Sequence, residues 1–478
     1  MRKLIAAATL LAMAVTGLPG PVGATPDEDA IRMGRALLGK EYPQALRNLA
    51  RNDGFGGPVS PLLATRMQDR SPELVAEARR LMTVEPRGKG MWLIRFPYVN
   101  VVLVETKDSL VLIDTGYAAI GPVLRELIPT LSKKPLKTIV LTHTHVDHAY
   151  GAFALLADRP EIIATDQFAE IAAVDIRMRG SIAKYNNQPL ALQPSSLADF
   201  TLPNRTFSAT LERRIGGERF VFVHAPGETE DQLYVWIPGR RTVVTADYYQ
   251  GFLPNAGNGK RMQRHVEEWI AALRHMVSLR PELLLPMHGG AIEGEQAIAG
   301  ALGTTADAMD HIVGQVVDGL NRGERKDIVL SQLTWPERFA NSPYLATSYV
   351  RPEDIGAMVA KRWTGWWDDI PSHFNVIPFE REAAELLSLA GGVERVDRRA
   401  RELIETDPRL ATRLADWAYF GAPDDPRAMQ LAVDIYMRRI AMPDTPLQES
   451  IVYLNHAAKA RYRLEQHRKG KEAGNGRS

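Results

Sequence analysis

From residue 91 to about 290, short apolar runs alternate with amphipathic stretches, the pattern of a mixed α/β domain. Met91-Trp92-Leu93-Ile94-Arg95-Phe96 reads as a strand. Asn100 to Glu105 and Ser109 to Asp114, joined through Lys107-Asp108, read as a hairpin. A helix over about 120–132 leads to the strand Thr138-Ile139-Val140-Leu141. Further strands are predicted at 161–164, 218–224, 232–237 and 241–246, with helices near 165–178 and 261–279. Leu283-Leu284-Leu285-Pro286 is the last apolar strand, and a long helix follows over roughly 292–320.

The flanks are patterned differently. Residues 25–88 are polar and partly helical, and Ser71 is placed to cap a helix running through Met82. The composition shifts after Gly323, and strand signals vanish from about residue 350. From about 350 a helical period holds in segments near 353–366, 379–390, 393–406, 408–420, 426–439 and 447–464. Residues 323–464 therefore read as a separate all-α domain. The remainder, 465–478, is rich in Gly, Lys and Glu and is expected to be disordered. At the other end, Arg2 and Lys3 precede an apolar run from Leu4 to Val15, and Val22-Gly23-Ala24 supplies small residues. This is the form of a secretory signal peptide over 1–24, and the run is shorter than the roughly 20 residues of a membrane span. The mature chain is expected to be exported, periplasmic or secreted, with no membrane partner.

Composition narrows the chemistry. The 478 residues carry 58 Lys plus Arg against 57 Asp plus Glu, which gives no electrostatic reason to expect nucleic acid. There is no cysteine, so disulfides, thiolate metal ligands and thiol catalysis are excluded. The informative segment is Thr142-His143-Thr144-His145-Val146-Asp147-His148, between an apolar strand and a helix expected to start near Ala149. Its spacing lets His143 and His145 face one metal while Asp147 and His148 face another. Imidazole and carboxylate together suit Zn²⁺, Mn²⁺ or Fe. A surface histidine cluster is the bland alternative, but three histidines and an aspartate rarely meet by chance at the end of a strand.

This HxHxDH motif is the signature of the metallo-β-lactamase superfamily, which the chain resembles over about 91–290. The resemblance implies an αββα sandwich over residues 89–322. Asp114, ending Val111-Leu112-Ile113-Asp114-Thr115-Gly116, is similar to an aspartate that neighbours the site without binding metal. Asp247, after Val244-Thr245-Ala246, resembles the acid that bridges both metals, and His288, in Pro286-Met287-His288-Gly289, the late histidine closing the second site. Most of the superfamily places a histidine after a Pro-Gly turn, where this chain has Glu228 in His224-Ala225-Pro226-Gly227-Glu228. Either Glu228 takes that ligand position or His224 swings in. Glu228 is favoured because His224 ends a strand, which leaves His224 beside the site or merely packed.

Glutamate at this position is a feature of the class III alkylsulfatases. Gly365-Trp366-Trp367-Asp368, Leu389-Ala390-Gly391-Gly392 and Tyr419-Phe420-Gly421-Ala422-Pro423-Asp424 also resemble segments of their helical dimerisation domain. That implies an all-α dimerisation domain over 323–464 and a homodimer. It further implies two divalent metal ions, expected to be zinc, and a small-molecule ester substrate. Asn255 matches an asparagine that helps to hold the sulfate, and Lys260, Arg261 and Arg264 fall in the matching basic stretch. Those enzymes usually carry Glu where Asp247 stands, so the metal spacing is expected to differ. Two metals sharing Asp247 would hold a bridging water near neutral pKa, the source of a hydroxide nucleophile, with Asp147 orienting it or shuttling its proton. Tyr248, Tyr249 and Phe252 either line an apolar pocket or belong to the core. The competing readings are the same fold acting on another ester, a lactone, a β-lactam or a phosphoester, and a binding protein with a retired site.

Overall fold

The computed structural model describes residues 26–45, 66–88, 90–186 and 188–475. The signal reading over 1–24 lies outside them. The chain divides into two compact units, residues 54–368 and a helical unit made of the described residues before 54 together with those from 369 onward. The N-terminal helix α1 (Pro26–Glu41) belongs to the helical unit.

The first unit is built on two sheets. One runs β1 (Thr83–Pro86), β2 (Met91–Arg95), β3 (Asn100–Glu105), β4 (Leu110–Ile113), β5 (Leu136–Val140), β6 (Glu161–Thr165) and β7 (Arg205–Phe207) in spatial order. Its first four strands pair antiparallel and its last four parallel. The other contains β8 (Thr210–Ile215), β9 (Glu218–His224), β10 (Leu233–Ile237), β11 (Thr242–Val244), β12 (Leu283–Leu285) and β13 (Ile292–Glu293) in consecutive order. All its pairs are antiparallel except β11 with β12.

Strand alternation sorts the side chains into layers. Val102, Val104, Val111 and Ile113 meet Phe220, Phe222, Val235 and Ile237 in a buried core between the sheets. The alternate residues Val101, Leu103, Leu110 and Leu112 pack outward against α2 (Pro72–Leu81) and α3 (Ile120–Leu131). Beyond them come α4 (Val146–Ala149), α5 (Phe168–Arg177) and α6 (Arg179–Asn186). On the outer face of the second sheet, Tyr234, Val243 and Leu284 pack with Trp269 and Leu273 of α7 (Val266–Ser278) and with α8 (Glu295–Asn321). The result is an αββα sandwich.

The same outer core takes in Val329, Phe339, Ile355 and Val359. These belong to α9 (Lys326–Ser331), α10 (Glu337–Ala340) and α11 (Pro352–Thr364). Residues 325–368 thus pack with the sandwich, and the two compact units divide between 368 and 369. Helical periodicity marks these segments as helices but does not say which core they cover.

The helical unit contains α12 (Phe379–Ala390), α13 (Val393–Leu403), α14 (Pro408–Gly421), α15 (Pro426–Ala441) and α16 (Leu447–Asn475). Leu38, Ala400, Ala415, Leu431, Ile435 and Leu454 are part of its core. α1 lies against α16 at Gly34, where a Cβ would sit 1.9 Å from the Ala458 carbonyl oxygen. Arg35 to Asn455 (2.7 Å) and Tyr42 to Asp434 (2.8 Å) fix the docking. Residues 26–45 are therefore integral to this unit, a partnership that sequence distance hides. α16 also continues through residues 465–475, expected to be disordered; Glu465 pairs with Arg461 and Arg468 one turn to either side.

Two local expectations change. Ser71 stands at the N-cap of α2 but its hydroxyl makes no capping bond; Asp69 instead accepts the Ser71 N–H at 2.9 Å. The helix after HxHxDH starts at Val146 and lasts one turn. Strand β8, absent from the sequence reading, is a charged edge strand whose Glu212 pairs with Arg219 across the ladder, so its composition reads as loop. Among the described residues no helix is long and apolar enough to cross a membrane.

Candidate metal centre

The expected ligands converge at one end of the sandwich. His143, His145, Asp147 and His148 follow β5, Asp114 follows β4, Asp247 follows β11 and His288 follows β12. Glu228 lies on the connection from β9 to β10. Strand ends present side chains from a rigid frame while the loops remain free to shape themselves around them. Three sets of side chains bring one ligand atom each to within 4.8 Å of one another: His143, His148 and Asp247; His143, His145 and Glu228; Asp147, His148 and His288.

Three residues with left-handed backbone adjoin the cluster, Tyr98 (φ 69°), Asp114 (φ 58°) and Ala246 (φ 47°). Each costs free energy that surrounding structure must offset, and such strain gathers at functional sites. Its use here is visible. Turned back, the Asp114 carboxylate accepts hydrogen bonds from the Thr142 N–H and Oγ1, both at 2.8 Å, and from His148 Nδ1 at 2.8 Å. His148 Nε2 is thereby aimed into the cluster, 3.3 Å from Asp247 Oδ1. His288 gives its Nδ1 proton to the Tyr98 carbonyl and points Nε2 at Asp247 Oδ2, 3.1 Å away. Holding one ring nitrogen in a hydrogen bond selects the tautomer that leaves the other free for a ligand.

Glu228 is 3% exposed and heavily engaged. Asn255 Nδ2 and Arg264 Nη2 donate to Oε1, Gln250 Nε2 donates to Oε2 at 3.3 Å, and Arg264 Nη1 donates to the Glu228 carbonyl. His224 is turned elsewhere. Its Nδ1 contacts the Ser208 carbonyl at 2.6 Å and its Nε2 that of Glu230 at 2.7 Å. Of the two candidates for the third ligand, Glu228 joins the cluster with His143 and His145, and His224 does not.

Electrostatics differ across the cluster. Burial, with the neighbouring histidine, holds His143 and His145 well below the ordinary imidazole range, in the neutral form that coordinates a cation. Burial is the largest single effect on His148 and His288 and opposes their charge, but Asp247 and Asp147 together, with Asp114 also at His148, raise both. Burial likewise works against the Asp247 carboxylate, yet His288 and His148 hold it well below its usual range. Glu228 is pushed up to about 8 by burial, with Arg264 opposing and Asp247 adding to the rise.

The donors suit a divalent cation. His148 Nε2 and Asp247 Oδ1 are buried without a hydrogen-bond partner in the protein. A buried polar atom left so costs about 1–3 kcal/mol. Neutral imidazoles beside carboxylates are the ligand set of borderline-to-hard metals.

The expected substrate-binding residues separate. Arg264 is 1% exposed and turned inward onto Glu228, and the Asn255 amide is directed at the same carboxylate. Both are engaged by the Glu228 carboxylate. Lys260 and Arg261 are only partly buried, and burial lowers the Lys260 ammonium to about 8. Tyr248, Tyr249 and Phe252 are buried; Trp269 Nε1 donates to the Tyr248 carbonyl, so these rings belong to the core. Sequence reasoning missed Gln250. Its position three residues after Asp247 carries no signal, because Glu228, the second carboxylate it reaches, lies on another loop.

Residues 94–288 match the family model described as metallo-beta-lactamase superfamily, and residues 325–462 that described as alkyl sulfatase dimerisation. The chain carries a metallo-β-lactamase domain followed by an alkylsulfatase dimerisation domain. This metallo-β-lactamase-fold chain is 26% identical to a linear primary-alkylsulfatase of Pseudomonas sp. (strain ATCC 19151), covering 70% of this chain and 68% of the relative. It is 23% identical to the alkyl/aryl-sulfatase BDS1 of Saccharomyces cerevisiae, with 70% and 57% covered. An (R)-specific secondary-alkylsulfatase of Pseudomonas sp. is 22% identical, with 69% and 56% covered. The chain thus spans little more than half the length of these last two. In fold it is similar to the stereoselective inverting sec-alkylsulfatase Pisa1 from Pseudomonas sp., with a TM-score of 0.70 at 18% identity over 92% of this chain and 78% of that one. The family match to residues 325–462 crosses the compact boundary at 368/369, so its first part lies with the sandwich.

Proposed function

We propose that this chain is a metal-dependent hydrolase of sulfate esters, exported after removal of residues 1–24, working as a homodimer and holding two metal ions, zinc in the cell. The observation that carries this reading is Glu228. A glutamate, not a third histidine, completes the His143–His145 group, and relatives matched over about 70% of this chain are named alkylsulfatases. The helical dimerisation match supports the dimer.

The chain's own groups divide the work. His143, His145, Glu228, Asp147, His148, Asp247 and His288 hold the metals, with Asp114 orienting His148 and Arg264 and Asn255 orienting Glu228. When bound, divalent ions supply Lewis acidity toward the ester oxygens and acidify water. Asp147 is the most open of the three ligand carboxylates, its side chain 20% exposed against 4% for Glu228 and Asp247. Its Oδ2 lies 3.6 Å from His148 Nε2 and 3.8 Å from His288 Nε2, a position from which it takes a proton and passes it toward solvent. Lys260 and Arg261 supply the positive charge that receives the sulfate.

The test is elemental analysis of protein purified without chelator, together with turnover of alkyl sulfates against phosphate monoesters, lactones and β-lactams. Two metals per chain and turnover confined to sulfate esters are expected. Protein without metal, or turnover of another class only, overturns the reading. Mass spectrometry of the exported N-terminus and light scattering test export and the dimer.

A further inference from the structure

We infer that Gln250 is a positioning residue whose single amide holds Glu228 and Asp247 at a set separation and so fixes the spacing of the two metal sites. This rests on the dinuclear reading above. Gln250 is 3% exposed, and all of its side-chain polar atoms are engaged. The Asn255 backbone N–H can only donate, and it donates to Gln250 Oε1 at 3.0 Å. That contact settles which way the amide faces. The NH₂ group then points into the cluster and reaches Glu228 Oε2 at 3.3 Å and Asp247 Oδ2 at 3.2 Å.

The two acceptors belong to different ligand groups. Glu228 stands with His143 and His145, and Asp247 with His143 and His148. Their remaining partners pull them apart. Glu228 Oε1 is taken by Asn255 and Arg264 on one side, while Asp247 faces His148 and His288 on the other. Once both carboxylates are ionised, as ligands must be, two like charges at low dielectric repel, and a shared pair of N–H donors offsets this and sets their distance. The same hydrogen-bonded chain runs from Asp247 through Gln250 to the Asn255 backbone, so the loop bearing Asn255 and the metal carboxylates move as one piece.

The experiment titrates metal-free protein with Mn²⁺, following both binding steps by calorimetry and the coupling between the ions by electron paramagnetic resonance. Parent protein is expected to bind two ions with an exchange-coupled spectrum. Gln250→Leu removes the donors and is expected to bind the first ion with parent affinity, the second at least tenfold more weakly, with the coupled spectrum lost or changed. Gln250→Asn keeps the amide but withdraws it by about one C–C bond, roughly 1.5 Å, and is expected to fall between. Thermal unfolding checks that each variant is folded; should the leucine variant not fold, the asparagine variant decides. Two ions at parent affinity with an unchanged spectrum in a folded variant overturn the assignment. A parent that binds fewer than two ions overturns the dinuclear reading itself and the inference with it, a failure visible before any variant is compared.

Discussion

The two sides of the ligand cluster are charged in opposite ways, although both are buried and both contain two histidines. His143 and His145 lie where burial dominates, with Arg264 and Arg261 adding positive potential at His145, and they stay neutral. His148 and His288 face Asp247 and Asp147, which raise their proton affinity. The acid on the first side, Glu228, is itself raised, while Asp247 on the second is lowered. One side is therefore a pair of neutral imidazoles awaiting a deprotonated acid, the other an ion-paired cluster from which a cation must displace protons. Residue type does not separate them; the neighbours brought by other loops do.

Removing the carboxylate at the centre breaks the second side most. Asp247→Ala leaves His148 and His288 without their common counter-ion, and sulfate-ester turnover should fall about a thousandfold, the equivalent of about 4 kcal/mol. Titration of the two histidines by nuclear magnetic resonance should show their proton affinity dropping at the same time; unchanged histidines would mean the contrast is not set by Asp247. Glu228→Ala attacks the first side. Metal content should drop from two ions per chain to one and turnover about a hundredfold, with the surviving ion on the His148–His288 side. Full retention of metal would remove Glu228 from the ligand set.

Asp114→Asn sharpens the comparison, because Asp114 touches His148 and not His145. Such partners of a ligand are worth about tenfold to a hundredfold in metal affinity. The loss should fall on the second ion alone, as read by competition with a chelating dye. The smallest effect is that of pH. With Glu228 protonated up to about 8, the first ion must displace one proton, so its affinity should fall about tenfold per pH unit below that point, and uptake should release the proton into buffer. The same raised value means that this proton stabilises the metal-free fold fully below the ordinary carboxylate range, near 4.5, and that the contribution is lost as pH rises through about 8. Calorimetry in buffers of different ionisation enthalpy measures the proton; uptake without release would place Glu228 in its ionised form already.

Much of this arrangement is legible in the chain as written. Continuous apolar runs in Asn100–Glu105 and Leu110–Ile113 specify strands with two buried faces, and the HxHxDH spacing after a buried strand specifies where ligands gather, because both depend on residues close in sequence. Asp247 and His288 are marked by their places at the ends of short apolar runs. The tertiary structure alone turned His224 away onto two carbonyls, turned Arg264 inward onto Glu228, set Gln250 between two carboxylates, and laid α1 against a helix more than 400 positions later. It also joined residues 325–368 to the sandwich core. The physical reason is common to all of these. Period and spacing determine what an element is, but a buried polar side chain or an apolar helix face takes whichever partner the fold brings within reach, and those partners here lie on loops and helices distant in sequence.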